Sequence, residues 1–126
     1  MNPNPFSLEG RTALVTGSSS GIGQAVAAAI QAAGAKVIRH GIESEDPDPS
    51  SSSPYLAADL LAEDGPEKLL EAAFQLSPDL DLLVCNAGNN HNAPFLEMTR
   101  KRWDLTMDLN LKANYFAAQA FAKKLA

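Results

Sequence analysis

A single cysteine, Cys85, leaves no partner for an internal disulfide, which excludes the disulfide-stapled secreted scaffolds and fits a reducing compartment. No uninterrupted apolar stretch approaches membrane-spanning length, so no contact with a membrane is expected. The opening residues, Met1–Pro5, have neither a basic n-region nor an apolar h-region. A secretory signal is therefore not expected, and the expected location is cytoplasmic. Basic residues are scattered apart from Arg100–Arg102 and Lys123–Lys124, and the net charge is −5. That leaves no basic face wide enough to track nucleic acid. The acidic balance also repels anionic ligands at long range, so phosphate capture must come from local N–H geometry. No metal-ligand set is assigned. A length of 126 residues allows one ordinary core and not two.

What the chain does have is a glycine-rich turn in a telling place. Arg11–Thr16 is a short apolar run flanked by Gly10 and Gly17, and it reads as a buried strand. Gln24–Ala33 reads as a helix with Val26, Ala29, Ile30 and Ala33 on one face, closed by Gly34 at the C′ position. Between them lies Thr16-Gly17-Ser18-Ser19-Ser20-Gly21-Ile22-Gly23. A backbone turning from strand into helix aims several N–H groups and the positive end of the helix dipole at one point, which suits a pyrophosphate. No lysine follows Gly21 or Gly23, so the turn is not a P-loop.

Lys36–His40 reads as a second strand, which completes a βαβ unit. Glu43–Pro54, acidic and proline-bearing with serines at 50–53, reads as a flexible surface loop. Tyr55–Asp59 is a third short strand. Asp64 and Glu67 are placed for a capping box at the start of a helix whose buried stripe is Leu69, Leu70, Ala73 and Phe74. Leu80–Cys85 is a fourth strand, with Leu82–Val84 expected to be buried on both faces and Cys85 expected to be a buried small hydrophobe. A long helical region begins near Thr99, in which Trp103, Met107 and Leu111 are expected to serve packing. Strands alternating with helices imply an α/β fold with a parallel sheet. In such a sheet the strand C-termini share one edge, so Gly17, Asp59 and Asn86 should meet in one crevice.

The set Thr16-Gly17-x-x-x-Gly21-x-Gly23, Asp59, Asn86-Ala87-Gly88 and Asn110 resembles the short-chain dehydrogenase/reductase family in its compact single-domain branch. The resemblance runs from about Gly10 to the end. It implies a Rossmann-type doubly wound sheet with strand order 3-2-1-4, residues 1–126 forming the N-terminal dinucleotide-binding part of one domain. It implies that Gly17, Ser19, Ser20, Gly21, Ile22 and Gly23 cradle the phosphates and adenosine ribose of NADP or NAD. By the same likeness Asp59, with the Leu60 N–H beside it, meets the adenine amino group, and Asn86, Ala87 and Gly88 line the crevice under the ribose. Asn110 is the one residue with an implied catalytic role, bending the long helix and fixing a water in the proton path.

The implied reaction is carbonyl/alcohol interconversion on a small molecule by B-face hydride transfer, in a protein that forms a dimer or tetramer through faces including Phe116 and Phe121. The family's Tyr-x-x-x-Lys is missing, since Tyr55 is followed by Asp59 and Tyr115 by Gln119. Together with a last helix that stops uncapped at Ala126, this gives the expectation of a fragment, inactive by itself. NAD-preferring members place an acid at the end of the second strand, where this chain has Gly41 between His40 and Ile42. NADP-preferring members carry arginine at the position of Ile42 or Ser20, which is also lacking. With no carboxylate to repel a 2′-phosphate and with Arg39 and His40 nearby, the lean is to NADP. The alternative is a non-catalytic nucleotide-binding or regulatory module.

Overall fold

Four strands, each too short to stand alone, are held by their neighbours. In the computed structural model, which describes residues 4–126, they are β1 (Thr12–Val15), β2 (Lys36–Gly41), β3 (Tyr55–Ala57) and β4 (Leu82–Val84). Residues 1–3, part of the segment read as carrying no signal, lie outside the described residues. All pairings are parallel and the order is β3-β2-β1-β4, as expected. Leu14 sits in register with Ile38 on one side and Leu83 on the other.

Alternation along β1 and β2 divides the core into two layers. Leu14 and Ile38 face a cluster with Leu60, Leu69, Leu70, Ala73, Leu80, Ala113 and Ala117. Val15 and Val37 face the opposite way, against Ala27 with Val26 and Ile30. Helix α1 (Gly21–Ala32) therefore covers one face, while α2 (Gly65–Leu76) and α4 (Ala113–Leu125) cover the other. This is the doubly wound Rossmann-type arrangement.

Local chemistry sets the boundaries. α1 ends in a Schellman motif, in which Gly34 N–H donates to Gln31 O and Ala35 N–H to Ile30 O. Its inward stripe is Gly23, Val26, Ala27 and Ile30, whereas Ala29 points outward. The capping box at Asp64 does not form. The Asp64 carboxylate makes no cap bond and instead pairs with Lys68 at 3.2 Å. The Glu43–Pro54 loop is also less free than its composition implies. Arg39 holds Asp46 in a two-pronged pair at 2.8 and 2.6 Å and donates to Ser53 O, so the loop is clamped to β2.

Among the described residues β4 has a strand neighbour on one side only, and two burial expectations are not met there. Leu82–Val84 are half-buried rather than enclosed, and Cys85 is exposed. The long helical region is not one α-helix. α3 (Arg100–Met107) is capped by Thr99, whose Oγ1 accepts from Arg102 N–H, and a π-turn over Asp108–Lys112 separates it from α4.

Phe121 stacks on Phe74 at 6.0 Å and is half-buried, as is Phe116, so neither is the exposed face expected of it. Exposure falls instead on Trp103 (58%), Leu111 (60%) and Tyr115 (62%), which corrects the expectation that Trp103 and Leu111 are packed.

Candidate functional site

The strand C-termini converge as parallel topology requires. A cleft of about 480 Å³ opens there, within the range of small-molecule sites. Gly17, Ser19, Ser20, Gly21, Ile22, Gly23, Asp59, Leu60, Asn86, Ala87 and Gly88 all line it, joined by His40, Gly41, Ile42, Glu43 and Leu61.

The turn after β1 is built for a close backbone approach. Gly17 has φ +64°, and a Cβ placed on it would stand 2.8 Å from Ala87 Cα. A Cβ on Gly23 would run into Gly17 O and Asn86 Nδ2. Ser20 is the N-cap of α1, yet its hydroxyl makes no capping bond. The first-turn N–H groups are therefore offered outward, where the helix dipole also favours an anion.

Two side chains sew this turn to β4. Thr16 Oγ1 accepts from Asn86 N–H and Ala87 N–H, both at 3.0 Å. Asn86 Nδ2 returns donors to Thr16 O at 3.1 Å and Gly17 O at 3.2 Å. Ser18 faces inward, its Oγ donating to Val15 O and accepting from His40 N–H, which separates it from Ser19 and Ser20.

His40 is the member that sequence reasoning misplaced. It is 3% exposed and links the glycine turn to the β3 exit. Gly17 N–H donates to Nδ1 at 2.9 Å, which leaves the proton on Nε2, and Nε2 donates to Ala58 O at 3.0 Å. Burial is the main cause holding its pKa below the ordinary histidine value, with the Ala58 carbonyl opposing. His40 is thus a neutral strut and not a cation for a 2′-phosphate. Arg39 is equally committed, to Asp46 and Ser53. The sequence signal for this was the strand alternation, which points residues 39 and 40 to opposite faces.

Asp59 Oδ1 accepts from Leu61 N–H at 2.9 Å, so the carboxylate orders its own turn at the cleft wall. The Leu60 side chain belongs to the core. Asn110 lies inside the π-turn, a feature often found at working sites. Its Nδ2 donates to Thr106 O at 2.8 Å and to Asn89 O, and a Cβ on Gly88 would stand 2.5 Å from its Oδ1. Asn114 Nδ2 takes up the Asn110 carbonyl at 2.9 Å. The structure therefore brings Asn110 against the Gly88–Asn89 loop at the edge of the cleft. Among the described residues, no group of three His, Cys, Asp or Glu side chains is gathered to hold a metal ion. No helix among them is long and apolar enough to cross a membrane.

Comparison with known proteins gives a consistent picture. The profile of the short chain dehydrogenase family matches residues 11–126. The chain is 37% identical over 126 residues to the 2-dehydro-3-deoxy-D-gluconate 5-dehydrogenase of Escherichia coli, covering 94% of this chain and 49% of that protein. The Pseudomonas aeruginosa RhlG/NADP active-site complex superposes with a TM-score of 0.87 at 35% identity, over 95% of this chain and 50% of that one. A 3-oxoacyl (acyl-carrier-protein) reductase from Agrobacterium tumefaciens with NADP bound gives a TM-score of 0.87 at 34% identity, covering 95% and 49%. The chain spans about half the length of the curated relatives it matches.

Proposed function

The chain belongs to the short-chain dehydrogenase/reductase family, and we propose that it forms the dinucleotide-binding half of an oxidoreductase interconverting a carbonyl and an alcohol on a small molecule. The observation that carries this is the convergence on one cleft of the Gly17–Gly23 turn, Asp59 and Asn86–Gly88. The residues fit the group. Bare Cα atoms and uncapped first-turn N–H groups suit a diphosphate, the exposed Leu61 side chain suits a purine, and Asp59 supplies acceptors for its amino group. When bound, the nicotinamide supplies the hydride chemistry. Asn110 would orient a water at the Gly88–Asn89 loop.

The dinucleotide is NAD or NADP. NADP bound in RhlG and in the Agrobacterium reductase supports the sequence-based lean to NADP. Arg39 and His40 no longer support it, because both are held by protein partners.

No Tyr-x-x-x-Lys occurs in these residues, so the 126-residue chain is proposed to bind dinucleotide weakly and not to turn over. Titrating NAD⁺ and NADP⁺ into isotope-labelled chain tests the site. The expected result is saturable amide shifts at Gly17–Gly23, Asp59–Leu61 and Asn86–Gly88, with Kd on the order of a millimolar. Shifts confined to other residues would refute the assignment, and oxidoreductase turnover by the purified chain would refute the proposed inactivity.

The intact protein is proposed to be cytoplasmic and homo-oligomeric, a dimer or tetramer. For the 126-residue chain by itself, the open β4 edge and the exposed Trp103, Leu111 and Tyr115 support self-association. Analytical ultracentrifugation should show dimers or larger species; a clean monomer at tens of micromolar would count against it.

A further inference from the structure

The loop that follows β4 has no backbone ladder of its own. Over residues 89–93 no backbone group bonds to another backbone group among the described residues. The anchors of its main chain come instead from side chains on the helical region that follows. Asn110 Nδ2 donates to Asn89 O, Thr106 Oγ1 accepts from His91 N–H at 3.2 Å, and Arg102 Nη1 donates to Asn92 O at 2.9 Å. Asn90 N–H turns to the Asn89 side chain at 2.7 Å.

The three anchoring residues stand four apart, so they line one face of α3 and the π-turn after it. Eight helical residues advance about 12 Å, and three residues of chain reach about 10 Å, so the loop can follow that face from end to end. It does so in the opposite direction, with 89 against 110, 91 against 106 and 92 against 102. Threonine is a poor choice for the interior of a helix on propensity alone, yet here its hydroxyl is spent on the loop. Thr106 is half-buried and Arg102 exposed, so water competes for the arginine bond more than for the threonine bond.

Sheet order says which part of a bound dinucleotide this loop would meet. With adenine beside Asp59 after β3 and the diphosphate at the turn after β1, the nicotinamide riboside continues toward β4, where Asn89 and Leu109 line the cleft. Resting on the dinucleotide assignment above, we propose that Thr106, with Arg102 beyond it, is a positioning residue that fixes the loop 89–92 as the wall against the nicotinamide riboside. Neither side chain lines the cleft. Both act through a main chain that is otherwise tied only by Asn110 and its own Asn89 side chain. The wall is therefore ordered before a ligand arrives, and its ordering does not subtract from affinity.

The test compares each dinucleotide with its adenosine end alone, NAD⁺ with ADP and NADP⁺ with adenosine 2′,5′-bisphosphate, by amide shifts on the 126-residue chain. Thr106→Val removes the hydroxyl at nearly constant shape, and Thr106→Ser keeps it. Thr106→Val should bind the dinucleotides about three- to tenfold more weakly, leave the shorter ligands within about twofold of wild type, and speed hydrogen exchange at His91 N–H. Arg102→Met should show the same selectivity at about twofold, and Thr106→Ser should match the wild-type chain. Equal losses for dinucleotide and adenosine end, or no loss in Thr106→Val, overturn the positioning role and leave the cleft assignment intact. Failure of all four ligands to bind the wild-type chain overturns both.

Discussion

Gly23→Ala should remove dinucleotide binding and lower the unfolding free energy by about 2–3 kcal/mol, although alanine is the better helix former. Two effects of opposite sign compete at this residue. Helix propensity alone favours the substitution by about 1 kcal/mol, since Gly23 lies within α1. Against it, the new methyl would run into Gly17 O and Asn86 Nδ2, neither of which has room to retreat. The Gly17 carbonyl belongs to a turn fixed by Ser18 and His40, and the Asn86 amide is engaged by Thr16 O and Gly17 O. Relief requires lifting α1 from β1 or breaking the Asn86 bonds, so overpacking wins. Urea unfolding of the variant measures the first effect and amide shifts on adding NAD⁺ the second. A stabilised variant that still binds would mean that the turn does not pack against β4 as described.

That collision also shows which parts of the site were legible in the sequence. Glycine spacing, the apolar runs and the Asn-Ala-Gly at the end of the fourth strand are local signals, and parallel topology brings them to one edge without further information. The meeting of Gly17, Asp59 and Asn86 in one crevice followed from those signals, while the strand order and the rest of the cleft lining came from the family resemblance they carry. Three-body contacts were not legible. Nothing in the string says that Glu43 bends back over Gly41, because that depends on Tyr55 and Ser19 arriving from two other elements. Likewise the resemblance implied a bend at Asn110, but not the π-turn there or the ties of its side chain to Asn89 O and Thr106 O.

The failures have separate physical origins. The burial expected for Leu82–Val84 and Cys85 assumes a neighbour on both sides of β4, and the sheet has one. The Asp64–Glu67 pattern allows a capping box, but Lys68 on the next turn competes for the same carboxylate.

Stability should fall as pH drops from about 7 toward 5, and His40 should account for the slope. Its Nδ1 accepts from Gly17 N–H, so a second proton there would set two donors face to face at 2.9 Å. Burial already holds the folded-state pKa below that of a free histidine, near 6.5. Above about 6.5 both folded and unfolded chains carry the neutral ring, and its contribution is complete. Below that value the unfolded chain takes up a proton that the folded chain refuses, so stability declines until the lower folded pKa is reached. The carboxylates whose pKa values are lowered, Glu43 by its own backbone N–H, Asp46 by Arg39 and Asp81 by Thr12 N–H and Arg11, act at more acidic pH and leave this window to histidine.

The only other histidine, His91, sits in a loop, so His91→Gln serves as the background in which to read the effect. In that background His40→Phe should cost about 2–5 kcal/mol at pH 7.5, from orphaning Gly17 N–H and Ala58 O, and should flatten the slope between pH 7 and 5. Urea unfolding at several pH values reads both quantities. Because the Gly17 N–H is one end of the phosphate turn, NAD⁺ affinity should weaken over the same interval in the wild-type chain and show no such interval in the variant. A slope that survives His40→Phe would place the titrating group elsewhere and sever the glycine turn from the strut that is argued to hold it.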